Sequence, residues 1–202
     1  MQKKELLSQE KEVLLLLTDY WADWEASHAI VGINMVPQYT VKTIALDKES
    51  KVSIGGLRVE IDYTLEEYQC FDNLAMIILT GSFSWGRDNN EIADFVKKAN
   101  DSNIPIAAIC GATIFLGRHG FLNNIQHTGD DLEYFQDQLI NEENYNGHEH
   151  FLVAQSINAN GIITANETAS LEFAREIFRT LEVYEKEHID LWYEKFKNGI
   201  SG

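Results

Sequence analysis

A cysteine at the end of an apolar run is the residue of this sequence best placed to do chemistry. The segment reads Ile104-Pro-Ile-Ala-Ala-Ile-Cys-Gly-Ala-Thr-Ile-Phe-Leu-Gly117, and the apolar run stops at Cys110. Two small residues follow, and then a helical pattern begins. A strand that turns directly into a helix holds its last side chain on a tight, exposed corner, as the nucleophile elbow of hydrolases does for serine. The helix dipole and its first amides favour a thiolate at that corner.

A buried structural role is the alternative for Cys110, because free cysteine is among the most buried residue types. The local pattern does not separate the two interpretations. The second cysteine, Cys70, has a different setting and is expected to be structural. Ser82 and Ser84 have no neighbouring base in the sequence, so we expect turn residues there.

Charge and composition narrow the class of protein. The chain has 202 residues, which favours a single domain over residues 1–202, and a formal net charge of -16. That sign argues against nucleic acid or an anionic membrane as a partner, since phosphate is bound by Lys and Arg. The start of the chain is polar, and the apolar run Val13 to Leu17 is too short for a signal peptide or a membrane span. We therefore expect a cytoplasmic protein with free thiols.

Apolar strand patterns alternate with helical ones, which predicts an α/β fold with a mostly parallel sheet covered on both faces. Strands are predicted over Val13 to Thr18, Tyr39 to Leu46, Leu74 to Thr80, Ile104 to Ile109, Phe151 to Ile157 and Gly161 to Thr164, with a hairpin over Lys51 to Ile61. Helices are predicted over residues 23–35, 65–70, 90–100, 132–140, 168–183 and 185–197, and directly after Cys110.

Polar segments directly after three of these strands are expected to meet at one rim of the sheet, where ligands bind in such folds. They are Thr18 to Glu25, Gly81 to Trp85, and Cys110 with Gly111. Trp24 and Trp85, with Trp21, either wall a small pocket there or anchor a dimer interface, where tryptophan is enriched.

Four short motifs in this order resemble the DJ-1/PfpI family, within the class I glutamine-amidotransferase-like superfamily. They are Asp23-Trp-Glu25, Leu79-Thr-Gly-Ser82, Ala107-Ala-Ile-Cys-Gly-Ala-Thr113 and Leu171-Glu-Phe-Ala174. The resemblance spans nearly the whole chain. It implies a flavodoxin-like three-layer α/β/α sandwich with a small β-hairpin excursion, and a homodimer.

The resemblance also implies roles for individual residues. Cys110 matches the family nucleophile, and Glu25 matches the glutamate that hydrogen-bonds the sulfur. The backbone amides of Gly81 and Gly111 match the pocket that holds an oxyanion. Two departures concern the base: the protease-like branch has histidine where Gly111 stands, and the DJ-1-like branch has histidine where Asp130 stands, twenty positions after the cysteine.

Histidines elsewhere in the sequence are the substitute bases to consider. His127 lies three residues before Asp130 and is our candidate catalytic base, and His119 is a second one. Asp130 either orients His127 or caps the helix that begins at Leu132. His148 and His150 alternate along a chain segment, but no third ligand is specified, so no metal and no cofactor are predicted.

Three functions follow from these residues. The first is a cysteine-dependent hydrolase, amidase or carbonyl-processing (glyoxalase-like or deglycase-like) enzyme that acts on a small molecule or peptide. The second is a non-enzymatic, redox-responsive or chaperone-like dimer in which Cys110 is oxidised. The third is a glutamine-amidotransferase-like subunit, which is the weakest because His188 is followed by Ile189 and Asp190 rather than by an acid two positions on.

Overall fold

A seven-stranded sheet lies at the centre of the computed structural model, which describes residues 10–86, 89–140 and 142–199. The strands of these residues are β1 Lys11–Leu16, β2 Tyr39–Ala45, β3 Lys51–Val52, β4 Arg58–Val59, β5 Tyr63–Thr64, β6 Leu74–Leu79, β7 Ile106–Ile109, β8 Ser156–Ala159 and β9 Ile162–Ala165. The α-helices are α1 Ser27–Asn34, α2 Asn90–Asp101, α3 Gly111–Arg118, α4 Leu132–Leu139, α5 Ser170–Leu181 and α6 Lys186–Asn198.

The strand order in the large sheet is β5-β2-β1-β6-β7-β9-β8. Every neighbouring pair is parallel except β8 with β9, which is antiparallel. The order reverses direction between β1 and β6, because β2 lies on one side of β1 and the later strands lie on the other. The carboxyl ends at such a reversal leave a crevice in which doubly wound sheets bind ligands.

Alternate residues of the central strands feed two separate hydrophobic cores. Leu14 and Leu16 of β1 pack with α2, α3 and α4, whereas Val13 and Leu15 pack with α1, α5 and α6. All four side chains are nearly or fully buried, which explains why β1 is a continuous apolar run rather than an alternating one. The three-layer, flavodoxin-like α/β/α sandwich expected from the sequence is thereby confirmed, and so is the hairpin, formed by β3 and β4.

Two of the predicted secondary-structure elements are wrong. Residues 65–70 form a turn rather than a helix, and the short strand β5 before them was missed. The Gln69 side-chain amide donates to the carbonyls of Leu65 and Glu66 (3.1 and 2.8 Å) and so occupies acceptors that a longer helix needs for its own backbone. A single turn does not recover the cost of helix nucleation.

The strand predicted over Phe151 to Ile157 begins only at Ser156. Phe151 makes an isolated bridge to His127, and the preceding residues His148–His150 form a short 3₁₀ turn. The two imidazoles of this turn are therefore not on one face of a strand. The helix predicted from residue 23 begins at Ser27, because the residues before it make the contacts to the hairpin described below.

Within the described ranges, none of the helices combines the length and the apolar character that a bilayer crossing requires.

Helix α1 contacts α5 through a glycine. A Cβ on Gly32 would lie 2.2 Å from Cζ of Phe178, whose ring is almost fully buried. We expect Gly32→Ala to lower the free energy of unfolding by about 1–3 kcal/mol, although alanine is the better helix former, because the ring cannot move without disturbing its neighbours. Urea unfolding measures this. Val31→Ala, at an exposed position of the same helix, is the control, and equal stability of Gly32→Ala and wild type would contradict the expectation.

Candidate active site

Cys110 occupies a strained corner between β7 and α3. Its backbone has φ 57° and ψ -133°, a conformation that residues with a side chain rarely adopt. The corner is held from both sides: the Cys110 amide donates to Ala165 O (3.0 Å), and the Thr113 amide and hydroxyl both donate to Cys110 O (2.9 and 2.7 Å). The side chain is half-buried. This is the geometry of a nucleophile elbow.

Glu25 is fully buried beside the sulfur and is not a solvated residue at the start of a helix. The Gly81 amide donates to its Oε2 at 2.6 Å. Its Oε1 and the Cys110 Sγ each lie 2.8 Å from the point that a Cβ on Gly81 would occupy. Glycine at position 81 is therefore required for the carboxyl group and the thiol to approach each other.

The chain before Glu25 is clamped between two neighbours. The Asp23 carboxylate accepts hydrogen bonds from the Ser53 hydroxyl and the Gly55 amide (2.9 Å for the amide), which belong to the β3–β4 hairpin. On the other side, the hydroxyls of Ser82 and Ser84 both donate to Asp19 O (2.6 and 2.7 Å). These bonds explain the late start of α1.

Asp130 lies beside the sulfur. It stands at the position where the DJ-1-like branch of the family has a histidine. Ligand atoms of Cys110, Asp130 and Glu167 all lie within 4.8 Å of one another. The Asp130 Oδ1 accepts from the Glu167 amide at 2.8 Å, which fixes the carboxyl group. The prediction that Asp130 caps the next helix is wrong, because Asp131 caps α4 through the amides of Glu133 and Tyr134.

Burial and mutual repulsion dominate the electrostatics of this corner. Burial, with smaller contributions from the charges of Asp130 and Glu167, raises the pKa of Glu25 to about 8 against the opposing hydrogen bonds of Gly81 and Cys110. Burial followed by the charges of Glu25 and Asp130 raises the pKa of the Cys110 thiol, and the hydrogen bond from the Gly111 amide opposes this. Burial also raises the pKa of Asp130. Glu25 and the Cys110 thiol therefore keep their protons at neutral pH.

His127, our candidate base, binds other partners. Its Nδ1 lies 2.9 Å from Ile125 O, and its Nε2 lies 2.9 Å from the Tyr145 hydroxyl. Because a carbonyl only accepts, Nδ1 carries the proton and Nε2 accepts from the tyrosine. The ring is fully buried against Phe135 and Phe151, and burial lowers its pKa. The structure does not bring His127 to Cys110 in the way that it brings Glu25 and Asp130.

The two glycine amides expected to bind an oxyanion differ in their surroundings. The Gly111 amide faces the sulfur, but the Gly81 amide already donates to Glu25. The next amide along the turn, that of Ser82, lies 3.9 Å from the point that a Cβ on Gly111 would occupy. Among the described residues, the Ser82 amide has no hydrogen-bond acceptor. The sequence motif Leu79-Thr-Gly-Ser82 located this turn but did not indicate which of its amides is free.

Of the three tryptophans expected at this rim, Trp85 lies beside Gly111. Its Nε1 donates to Thr80 O at 2.8 Å, its ring stacks on Phe115 with centroids 4.5 Å apart, and its Cδ1 lies 3.5 Å from the Cβ point of Gly111. Trp24 is about half exposed, whereas Trp21 is buried and bridges Ser53 and Ser82. Cys70, expected to be structural, is exposed.

A cavity of about 310 Å³ opens next to the acidic side of Cys110. Its lining includes Asp130, Glu167, Phe151 and Asn166. The cavity thus combines carboxyl groups with apolar surface. Its size falls at the lower end of small-molecule sites.

The raised pKa of Glu25 predicts a pH-dependent stability. Between about pH 5 and pH 8 the folded chain keeps a proton on Glu25 that the unfolded chain releases, so the free energy of unfolding falls as the pH rises through this window. The slope for one proton approaches about 1.4 kcal/mol per pH unit. Glu25→Gln should lack this pH-dependent contribution. The free energy of unfolding of the wild type minus that of the variant should therefore decrease as the pH rises. Urea unfolding across the window measures it.

Glu66→Gln, at an exposed carboxyl, is the control and should leave the pH dependence of stability unchanged. Parallel curves for wild type and Glu25→Gln would show that Glu25 is ionised in the folded protein at neutral pH.

Comparison with known proteins identifies the family. Residues 11–180 match the model of the DJ-1/PfpI family. The chain is 34% identical over 180 residues to a Bacillus subtilis protein named "Uncharacterized protease YdeA", covering 89% of this chain and 88% of the relative. It is 31% identical over 196 residues to "Uncharacterized protease YoaZ" of the same organism, covering 92% and 90%.

Solved structures agree with this family. A thiJ/pfpI family protein from Bacillus anthracis superposes with a TM-score of 0.85 at 28% identity, covering 95% of this chain and 92% of the other. The DJ-1 superfamily protein Atu0886 from Agrobacterium tumefaciens gives a TM-score of 0.82 at 24% identity, covering 92% and 97%, and shares the fold. The protein with this strained cysteine, buried glutamate and parallel sheet belongs to the DJ-1/PfpI family.

Proposed function

We propose that this chain is a cysteine-dependent enzyme in which Cys110 adds to the carbonyl carbon of a small amide or dicarbonyl substrate. The observation that carries the proposal is the Asp130 carboxyl group beside the sulfur. A nucleophile needs a base within hydrogen-bond reach and a third group that orients the base. Asp130 supplies the base, and the Glu167 amide orients it.

The addition step is balanced by these groups. The sulfur forms a bond to the carbonyl carbon while the S–H bond breaks and the proton passes to Asp130. The carbonyl π electrons move to the oxygen, and the amides of Gly111 and Ser82 are the donors that stabilise the resulting oxyanion. For an amide substrate, Asp130 then returns the proton to the leaving amine, and water hydrolyses the thioester. For a dicarbonyl, Asp130 returns the proton to the oxyanion, and the first product is a hemithioacetal.

Protonated Glu25 has a separate role in this scheme. With its raised pKa it is neutral below about pH 8, so it adds no negative charge beside the developing oxyanion. The hydrogen bond that the Gly81 amide donates to Glu25 keeps the Glu25 carboxyl group fixed against the sulfur. It therefore positions the nucleophile without competing with Asp130 for the proton.

The size and lining of the cavity favour a small molecule or a peptide end over a folded protein. The relatives YdeA and YoaZ carry the word protease in their names, which supports the hydrolase side of the proposal. The proposal includes a homodimer, as the family resemblance implies. It places the protein in the cytoplasm, in keeping with the two free thiols. Neither a nucleic acid nor a membrane is part of it, given the net charge of -16.

The redox-responsive alternative is less well supported by the surroundings of Cys110. Oxidation by peroxide requires a thiolate, and susceptibility follows thiolate character and exposure. Cys110 is half-buried among carboxyl groups that oppose its ionisation, whereas Cys70 is exposed.

Turnover of a panel of dicarbonyls and amides tests the enzymatic proposal. Cys110→Ser should lower kcat/KM by at least about a thousandfold, and Asp130→Asn by about 10²–10⁴, the usual contribution of a positioned base. Cys70→Ser is the matched control and should retain wild-type turnover. Full turnover in Cys110→Ser, or no turnover of either class by the wild-type protein, would refute the proposal.

Mild peroxide treatment separates the enzyme from the redox sensor. We expect peptide mass spectrometry to find oxidation at Cys70 before Cys110, because Cys70 is exposed and Cys110 is held as a thiol. Asp130→Asn removes one of the opposing charges and should increase the oxidation rate of Cys110. Sulfinate formation at Cys110 ahead of Cys70 in the wild-type protein would favour the sensor instead.

A further inference from the structure

A tight turn carries Glu25 into the core, and Asp23 lies inside that turn. The Glu25 amide donates to Ala22 O (3.3 Å), so Asp23 and Trp24 are the two central residues of the turn. The Ala22 amide is itself held by Gly81 O (2.9 Å). Because a single residue separates Asp23 from Glu25, a shift of the backbone at Asp23 also moves Glu25.

The Asp23 carboxylate is bound by the tip of the β3–β4 hairpin. Its Oδ2 accepts from the Ser53 hydroxyl and from the Gly55 amide, which lies 2.9 Å away. The Leu57 amide donates to the Ser53 hydroxyl oxygen (2.9 Å), so the hydroxyl proton is free to point at Asp23. Ser53 is almost fully buried, and its own amide donates to Leu57 O (2.9 Å). Both donors therefore belong to a turn that is closed by its own hydrogen bonds.

The two adjacent glycines of this tip have different roles. A Cβ on Gly55 would lie 2.3 Å from the Asp23 Oδ2, so a side chain there would push the carboxylate away. Gly56 has φ 84°, a conformation that favours glycine, and a Cβ there would meet nothing within 4 Å. Glycine at position 55 therefore serves the contact with Asp23, whereas glycine at position 56 serves the turn.

Glu25 needs an anchored backbone because its buried position opposes ionisation. Burial raises its pKa to about 8, and the hydrogen bonds with Gly81 and Cys110 act in the opposite direction. A carboxyl group that could move into water would release its proton near its ordinary pKa. The protonated, buried state of Glu25 therefore depends on a turn that stays in place.

We propose that Asp23 is a positioning residue, which holds Glu25 against Cys110 through its contacts with Ser53 and Gly55. The contact needs an oxygen acceptor rather than a charge, because the hydroxyl and the amide both donate. An asparagine side chain offers the same oxygen, whereas alanine offers none. The hairpin thereby controls the protonation state of the residue beside the nucleophile.

NMR of the carboxyl carbons in the full chain measures the titration of Glu25, and Glu25→Gln identifies its resonance. Asp23→Ala and Gly55→Ala should each lower the titration midpoint by at least about one pH unit, since a released carboxyl group regains water. Asp23→Asn should keep the wild-type midpoint. The titratable groups that face Glu25 are unchanged in these variants: Cys110, Asp130 and Glu167.

The effect on turnover rests on the proposed function. With Glu25 displaced and ionised, kcat for the amide and dicarbonyl panel should fall by about tenfold to a hundredfold in Asp23→Ala, with KM little changed. Asp23→Asn should restore kcat. The NMR titration needs no turnover, so a wild-type protein that processes neither substrate class would refute the enzymatic proposal alone.

Gly56→Asn is the matched control, because it alters the same turn without approaching Asp23 and because asparagine tolerates a positive φ. It should keep the wild-type midpoint. Ser53→Ala removes one of the two donors and should give a smaller shift, which tests the inference even if Asp23→Ala does not fold; thermal melts verify folding. An unchanged midpoint in both Ser53→Ala and Gly55→Ala, or a shift in Asp23→Asn equal to that in Asp23→Ala, would overturn the inference.

Discussion

The hydrogen bond from the Gly81 amide to the Glu25 carboxyl group is the contact on which the site depends. It joins the chain after β1 to the chain after β6, and the missing side chain at position 81 lets both approach Cys110 after β7. Three neighbouring strand ends are thereby held at one point. The Asp23 carboxylate ties the same segment to the β3–β4 hairpin, and the Asp19 carbonyl ties it to the hydroxyls of Ser82 and Ser84. The Glu25 carboxyl group therefore cannot withdraw toward solvent.

Confinement of these groups has an electrostatic consequence. A thiol and two partly or fully buried carboxyl groups cannot all ionise at close range. Burial is the main cause that raises the pKa of each group; the Asp130 charge adds to it at Glu25, and the charges of both acids add to it at Cys110. The helix α3 contributes the Gly111 amide, but a single N–H group does not outweigh burial together with the neighbouring acids. Protons are therefore held in the corner, and this constraint underlies the proton transfer to Asp130 in the proposed reaction.

Much of the fold follows from patterns that act locally. The apolar runs around Leu14 and Ile77 predict strands buried on both faces, and the structure places both residues in the core. The small residues after Cys110 predict the elbow, and the backbone at Cys110 has the strained conformation of that turn. The sequence pattern fails at residues 65–70, where the Gln69 side-chain amide binds carbonyls that a helix would need. It also fails near Phe151, where a single bridge to His127 forms instead of a continuous strand pairing. The first contact is a local side-chain bond and the second is tertiary, and neither leaves a period in the sequence.

The base could not be chosen from the sequence for a related physical reason. The segment before α4 has no regular structure, and its course is set by distant partners: the Thr128 amide donates to the Thr164 hydroxyl, and Asp130 accepts from the Glu167 amide. His127 is drawn into an aromatic cluster, and the side chain three residues later faces the sulfur instead. A carboxyl group beside the sulfur in place of an imidazole alters the chemistry. An imidazole can become a cation and stabilise a resting thiolate, whereas a carboxylate beside a thiolate repels it. In the proposed reaction, attack by Cys110 therefore coincides with the transfer of its proton to Asp130.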